Sequence, residues 1–287
     1  MNLTYILMLM LKYSRLLAGG FFLEITFLGT GTSHGVPPLD CMIAGYAKCP
    51  KGVCRKSLSD PRHNRTRTSV LLRKNGMTLI ADVSADFRQQ ALRAGIERID
   101  AVALSHGHID HFGGLPDIRS YTDAREEPLD VYASAETIDT VTRAFPYMFE
   151  TRDGCGKGVP RLRMNVLKEP RDIVGFRVTP VPVSHGRLKE CLGLRIDNIG
   201  YVPDVKRMGA ASEELLKGLD CLILNCLRDT REHSTHMTLE QSMALARRLE
   251  PRRCCFIHMT HDIDYTVDGK HLDSWMEFSY DGLVVET

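Results

Sequence analysis

The sequence carries almost no net charge: 37 Lys and Arg stand against 36 Asp and Glu, a formal +1 over 287 residues. No global field therefore recruits nucleic acid, although a local basic patch stays open. Long apolar runs are missing as well. Ile6–Leu11 is too short to span a bilayer, and Lys12 and Arg15 keep it from extending further. No small-x-small cleavage site precedes Phe21, so residues 1–22 read as an extension of uncertain role. It could be a weak anchor, a docking segment or, the preferred reading, the product of an early start codon. The nine cysteines are an odd number without a clear secretory signal. Reduced thiols, some of them holding metal, fit this better than a disulfide framework, and a cytoplasmic protein with no membrane span is expected. Linkers, low-complexity tracts and repeats are also absent. Residues 23–287 are therefore expected to form one domain, with 43% apolar and 25% charged residues as in ordinary soluble proteins.

What is present centres on Leu104-Ser105-His106-Gly107-His108-Ile109-Asp110-His111-Phe112-Gly113-Gly114-Leu115. An apolar run, Ala101–Leu104, ends there, and three imidazoles and one carboxylate follow within six residues. In an extended segment alternate side chains share a face, so His106 and His108 can hold one cation together. After the turn, Asp110 and His111 point elsewhere and can begin a second site. Gly107 is expected to let the backbone bend closely around the ions, and Gly113-Gly114 to free the exit from the loop. The plain alternative is a polar loop whose histidines only hydrogen-bond. Four borderline N/O ligands in six positions speak for metal.

Leu23–Leu28 alternates as a half-buried strand, and Gly29-Thr30-Gly31-Thr32-Ser33 breaks it. That turn lacks the Lys-Ser/Thr of a nucleotide P-loop, and its expected role is to let backbone pass close to a metal centre. Cys41, Cys49 and Cys54 then lie within fourteen residues of irregular chain. They suggest a zinc knob lacking a fourth ligand, or else three unrelated thiols. Thr68–Leu72 and Met77–Ala81 read as strands joined at Asn75-Gly76, a hairpin signal. Ser84 is expected to cap a helix with Phe87, Ala91 and Ala94 on one face, and Gly95 to stop it. The cluster thus sits at the carboxyl end of a strand, where open α/β folds commonly place their chemistry.

Further on the signals weaken. Val131–Ala133 is read as a strand and Ala135–Phe145 as a helix. The glycine-rich stretch 153–160 is either a mobile lip or a plain connection. Phe176–Val183 is an alternating strand that ends in Ser184-His185-Gly186, and Gly193–Ile196 and Tyr201–Pro203 continue as strands up to Asp204. Asp204 could bridge two cations or cap a short helix over Val205–Met208. Cys221–Asn225 and Cys254–Ile257 are buried-looking strands whose thiols, with Cys226, are expected to pack. Between them Thr238 and Gln241 form a capping-box pattern for a helix with Leu239, Met243, Ala246 and Leu249 on its apolar face. His236 lies just before that helix start, where backbone N–H groups favour an anion.

The cluster at 106–111 resembles the His-x-His-x-Asp-His signature of the metallo-β-lactamase superfamily. Phe27-Leu-Gly-Thr-Gly-Thr-Ser-His-Gly-Val-Pro37 is similar to the opening of one of its branches, the cyclic-phosphate phosphodiesterases and their tRNase Z relatives. The resemblance runs over roughly residues 23–265. It implies an αββα sandwich of the metallo-β-lactamase type. Metal one would be held by His106, His108 and His185, metal two by Asp110, His111 and His258, with Asp204 and a hydroxide bridging them. It further implies that Asp82 braces the metal loop, that His261 completes a structural zinc site with Cys41, Cys49 and Cys54, and that His236 contacts substrate phosphate without ligating. Asp110 and His236 are then the catalytic candidates. Imidazole and carboxylate suit zinc, manganese or nickel alike.

Two cations about 3.5–4 Å apart can clamp a phosphoryl displacement and supply hydroxide at neutral pH. The expected activity is hydrolysis of a small cyclic ribose phosphodiester such as 5-phosphoribosyl 1,2-cyclic phosphate. A tRNase Z-like nuclease is the alternative, but no long basic arm for tRNA stands out. A non-catalytic zinc-dependent binding module is a third reading. Arg65 and Arg67 could add phosphate affinity, with solvated surface charge as the preferred reading. The partner expected is a small-molecule phosphodiester, nucleic acid is not favoured, and self-association as a homodimer stays open.

Overall fold

The structure is a computed structural model that describes residues 23–123, 125–149 and 158–287. The 1–22 extension and most of the 153–160 stretch lie outside the described residues. Among the described residues fourteen strands form two seven-stranded sheets. The first comprises β1 (Glu24–Gly29), β2 (Ser69–Lys74), β3 (Met77–Ala81), β4 (Ala101–Ala103), β5 (Leu129–Ala133), β6 (Leu162–Val166) and β14 (Val284–Glu286), in the order β14-β1-β2-β3-β4-β5-β6. The second comprises β7 (Arg171–Ile173), β8 (Phe176–Val183), β9 (Cys191–Ile196), β10 (Ile199–Val202), β11 (Cys221–Asn225), β12 (Arg253–Ile257) and β13 (Met276–Phe278), in the order β13-β12-β11-β10-β9-β8-β7.

The two-residue period of a strand decides where each side chain goes. Leu72, Leu79 and Ala81 face Phe176, Leu194 and Ile223 between the sheets, while Leu71, Ile80 and Val102 turn outward. That outer face is covered by the helices Phe87–Ala94 and Ala135–Ala144, through Phe87, Ala91 and Val141. Across the molecule Leu222, Leu224 and Phe256 turn onto the helix Leu239–Leu249, through Leu239, Met243, Ala246 and Leu249. Four layers result, an αββα sandwich. Each fully buried Leu, Ile or Phe contributes roughly 1.5–3 kcal/mol, which explains why strands covered on both faces read as near-continuous apolar runs.

Local signals account for most element ends. Asn75 and Gly76 both adopt positive φ, 52° and 76°, as a tight hairpin between β2 and β3 demands. Thr238 and Gln241 make both bonds of the capping box. Two expectations fail. Ser84 does not cap the following helix. Its hydroxyl donates to Gln90 Oε1 and accepts from the Asp86 N–H, and Asp86 occupies the cap position. Nor is there a helix at Val205–Met208, because Arg207 instead forms a β-bridge with Ser184. Asp204 is thereby released from any capping role.

The sheets place the chemistry along one edge. Asp82 follows β3, Ser105 and His106 follow β4, His185 follows β8, Asp204 follows β10 and His258 follows β12. Parallel pairing of β3 with β4, and of β11 with both β10 and β12, brings those carboxyl ends together. Among the described residues no helix is long and apolar enough to cross a membrane.

Candidate metal centre

His106 Nε2 lies 2.9 Å from His108 Nδ1, and His185 Nε2 lies 3.2 Å from that same nitrogen. Hydrogen-bond partners behind the rings determine which nitrogens are free. His185 Nδ1–H donates to the Thr235 carbonyl at 2.9 Å, leaving its Nε2 lone pair inward. The Ser105 hydroxyl donates to Asp82 Oδ2 at 2.7 Å and therefore accepts from His106 Nδ1–H at 3.0 Å, which frees His106 Nε2 in the same way. Two lone pairs thus converge on one further ring nitrogen. A shared cation satisfies all three, whereas the single proton that His108 Nδ1 can carry does not.

The second group is built likewise. His111 Nδ1–H donates to Asp82 Oδ2 at 2.7 Å, and its Nε2 stands 3.4 Å from Asp110 Oδ2. His258 Nε2 is 3.5 Å from the same carboxylate oxygen. Between the groups Asp204 divides its oxygens. Oδ2 is 3.5 Å from His106 Nε2 and 3.3 Å from His185 Nε2, while Oδ1 is 3.5 Å from His111 Nε2 and 3.1 Å from His258 Nε2.

Whether these residues suit a cation pair can be judged from the atoms left without partners. His111 Nε2, Asp204 Oδ1 and His258 Nε2 are buried and make no hydrogen bond. Leaving such groups unpaired costs roughly 1–3 kcal/mol each, more when charged, and all of them face the space between the imidazoles. Protonation agrees. Burial alone would raise Asp110 and Asp204, but His111 and His258 pull both far below the usual carboxylate range. Burial holds His106 well below its ordinary value and lowers His108. Burial also opposes charge on His111, yet Asp110, Asp204 and Asp82 outweigh it, so the pocket draws positive charge there. Neutral His106 and His108 beside ionised Asp110 and Asp204 are the forms that bind a cation, and a cation at the second group would take the place of the proton that His111 attracts. The donor set fits two divalent ions.

Asp82 ties both groups together. Its Oδ1 accepts from the Ser105 N–H at 2.7 Å, and its Oδ2 accepts from Ser105, His111 and the Tyr201 hydroxyl. It does so with φ at +61°, and His258 sits at +58°, two non-glycine residues in the left-handed region. The expected glycine roles are corrected here. A Cβ on Gly107 would meet Thr140, and one on Gly114 would fall 2.1 Å from the Ser84 carbonyl oxygen and 2.6 Å from Phe87 Cβ. A Cβ on Gly31 would fall 2.8 Å from the Arg65 carbonyl oxygen. Small residues are required where the ligand loops pack on neighbouring chain.

His236 lies within reach but is oriented differently. Asn225 Oδ1 accepts from the Met237 N–H at 3.1 Å, so its amide nitrogen donates to His236 Nδ1 at 3.3 Å. The ring hydrogen is then on Nε2, 3.9 Å from Asp204 Oδ2, and faces the cleft as a donor. Burial pushes His236 down to about 2, against the pull of Asp204. Sequence reading missed Asn225, Tyr201, Ser105 and Thr235, since nothing in their local pattern marks a group that acts by holding a histidine.

The thiol cluster lies close by. Cys41, Cys54 and His261 bring their ligating atoms within 4.8 Å of one another. Cys49 stands beside them, where its sulfur accepts from the Cys54 N–H at 3.4 Å and approaches the His261 carbonyl at 3.5 Å. All eight described cysteines are free of disulfides. Arg65 overturns its expected solvation. It is 1% exposed and donates to the carbonyls of Thr260 and Ile263 at 2.6 and 2.8 Å, clamping the turn that carries His258 and His261. Arg67 pairs with Asp86 at 3.0 Å.

Comparison with known proteins agrees with this geometry. An octanoyltransferase of Porphyromonas gingivalis is 36% identical over 263 residues, 89% of this chain and 50% of that protein, so the chain spans half the length of this relative. A ribonuclease Z of a Bradyrhizobium species is 34% identical over 91 residues, 30% of each chain. The crystal structure of a new diphosphatase from the PhnP family superposes with a TM-score of 0.81 at 33% identity, covering 92% of this chain and 98% of the other. The family described as "Beta-lactamase superfamily domain" matches residues 78–259. That interval begins in β3, just before Asp82, and closes one residue past His258. The chain accordingly belongs to the beta-lactamase superfamily and has the metallo-β-lactamase fold.

Proposed function

We propose that this hydrolase is a dinuclear-metal phosphodiesterase acting on a small cyclic ribose phosphodiester, of which 5-phosphoribosyl 1,2-cyclic phosphate is the type. The observation that carries the reading is Asp204, whose two oxygens address two separate imidazole groups. His106, His108 and His185 would hold one divalent cation and Asp110, His111 and His258 the other. Cations bound there supply Lewis acidity toward phosphoryl oxygens and lower the pKa of water from about 15.7 to about 7.

The chain's own groups do the rest. Asp82 and the Thr235 carbonyl accept from Nδ1 of His111 and His185, which turns the Nε2 atom of each ring inward. His236 presents Nε2–H to a phosphoryl oxygen, and because Asn225 occupies its Nδ1 the ring stabilises developing negative charge as a hydrogen-bond donor. Cys41, Cys49, Cys54 and His261 are proposed to hold a structural zinc that braces the turn after β12. The PhnP-family diphosphatase supports phosphorus as the centre attacked.

The ribonuclease Z relative supports a second reading, a nuclease on the same core. Metal quantification on purified protein, with turnover of cyclic ribose phosphates, cyclic nucleotides and tRNA precursors measured side by side, separates the two. Faster cleavage of pre-tRNA 3′ trailers than of any cyclic phosphate would replace the first reading with the second.

A further inference from the structure

The imidazoles of the metal centre are not all held in the same way. His111 and His185 donate from Nδ1 to Asp82 and the Thr235 carbonyl, and His106 donates from Nδ1 to Ser105. Both ring nitrogens of His258 are buried and have no hydrogen-bond partner among the described residues. The ring stacks on those of His111 and His236, with centroids 5.6 and 4.8 Å away. Its aim therefore depends on where the backbone puts it, and that backbone stands in the left-handed region at φ +58°.

The chain just after His258 is docked on a part of the sequence far from it. The Met259 N–H donates to the Thr30 carbonyl at 3.0 Å, and the Met259 carbonyl accepts from the Thr32 N–H at 3.3 Å. Gly31, between them, is bound to the 66–68 segment. Its N–H donates to the Thr66 carbonyl at 2.8 Å, and its carbonyl accepts from the Thr68 N–H at 3.0 Å. The placement of His258 is only as firm as this loop.

One carboxylate secures the loop. Asp281, with a side chain 3% exposed, accepts at Oδ1 from the N–H and hydroxyl of Thr30 at 3.0 and 2.9 Å. Its Oδ2 accepts from the N–H and hydroxyl of Thr66 at 2.8 and 2.6 Å, and from Arg93 Nη2 at 3.2 Å. Asp281 is fixed in turn, because the Gly282 N–H donates to the Phe27 carbonyl at 2.8 Å and the Leu283 carbonyl accepts from the Phe27 N–H at 2.9 Å. Hydrogen bonds to an ionised acceptor are the strong ones, and a buried network is most costly when only partly satisfied.

We infer that Asp281 is a positioning residue for His258, and through it for the second cation: by way of Thr30 and Met259 it fixes the backbone of a ligand whose ring has no partner of its own. Asp281 makes no hydrogen bond to any proposed ligand. The inference rests on the dinuclear reading and adds to it a requirement from the 281–283 segment.

Asp281→Asn keeps the size of the side chain but turns an NH2 toward one set of donors. Stepwise Co2+ binding by chelator competition should then show one active-site cation held about tenfold or more weakly and the other changed less than about twofold. In an Asp110→Ala background, where the second cation is already lost, Asp281→Asn should change nothing further. Equal weakening of both cations, or weakening that persists in that background, overturns the inference, since Asp281 would then serve the fold alone. Thr30→Val should weaken the same cation by about threefold, and Thr30→Ser, which keeps the hydroxyl, should restore it. Wild-type binding in Thr30→Val overturns the inference as well, and this pair decides alone if Asp281→Asn does not fold.

Hydrogen exchange on the purified protein separates the inference from the dinuclear reading. In Asp281→Asn the Met259 and Thr32 amides should exchange faster, while those of Val131 and Ala133 in β5 keep their rates. Unchanged rates at Met259 and Thr32 overturn the inference. A wild type that holds a single active-site cation, with those two amides still quickened by Asp281→Asn, would sink the dinuclear reading and leave the hold on His258 standing.

Discussion

The Tyr201 hydroxyl donates to Asp82 Oδ2 at 2.8 Å across the sandwich, joining the second sheet to the carboxylate that orients the ligand loop of the first. Both residues are buried, at 1% and 0% exposure. Asp82 in turn accepts from His111 and, through Ser105, orients His106. One phenol thus reaches both proposed cation groups without touching either. Tyr201→Phe should lower cation affinity roughly 10–100-fold and stability by about 1.5–3 kcal/mol. Chelator-competition titration and urea unfolding check this, and wild-type affinity in the variant would show that Asp82 holds its position unaided.

Asp110→Ala removes the one carboxylate that His111 and His258 share besides Asp204. The expected outcome is one active-site cation fewer per chain and loss of nearly all turnover. Undiminished activity, with the full metal count by plasma mass spectrometry, would contradict the assignment.

His236→Ala should lower turnover by roughly 10²–10³-fold, the cost of deleting one preorganised donor, while both active-site cations remain. Loss of a cation would mean that the Asp204, His236 and His258 grouping binds metal instead.

Cys41→Ser should cost one zinc and lower the melting temperature by roughly 5 °C or more, because binding energy at a structural site is folding energy. The readout is metal content beside a thermal melt. If neither moves, the thiols only pack.

His63 offers a pH test away from the metal centre. Burial and the neighbouring Arg65 push it below its ordinary value. In the unfolded chain the ring takes a proton as pH falls through about 6.5, whereas the folded ring resists. Its contribution to stability is therefore complete above that pH and is lost as pH falls below it. His63→Phe, which keeps an aromatic ring against Tyr265, should lose less stability than wild type between pH 8 and 5.5 in urea midpoints. Parallel pH profiles would remove His63 as the cause.

Much of the site is legible in the chain because some of its ligands are neighbours there. His106, His108, Asp110 and His111 are four of six consecutive positions, and alternation followed by a turn separates the first pair from the second. His185, Asp204 and His258 lie far apart and become legible only as residues following strands, through the family resemblance. Asn225 and Tyr201 carry no such mark. Tyr201 meets Asp82 across 119 residues of sequence, and a tyrosine in an apolar strand reads as core until the opposite sheet is in place. Arg65 is misread for a related reason. Its burial depends on carbonyls turned toward it by the 260–265 segment, and no local pattern announces them.

Composition and periodicity by themselves determined the strands that lead to the ligands, the helix at Leu239–Leu249, the hairpin at Asn75-Gly76, the capping box at Thr238 and the first four metal-type donors, because backbone preference and alternation act over a few residues. Tertiary structure alone decided which nitrogen of His106, His111, His185 and His236 turns inward and which carboxylate stands between the two groups. Those properties depend on partners from other strands, and until the two sheets close on each other the partners are not there.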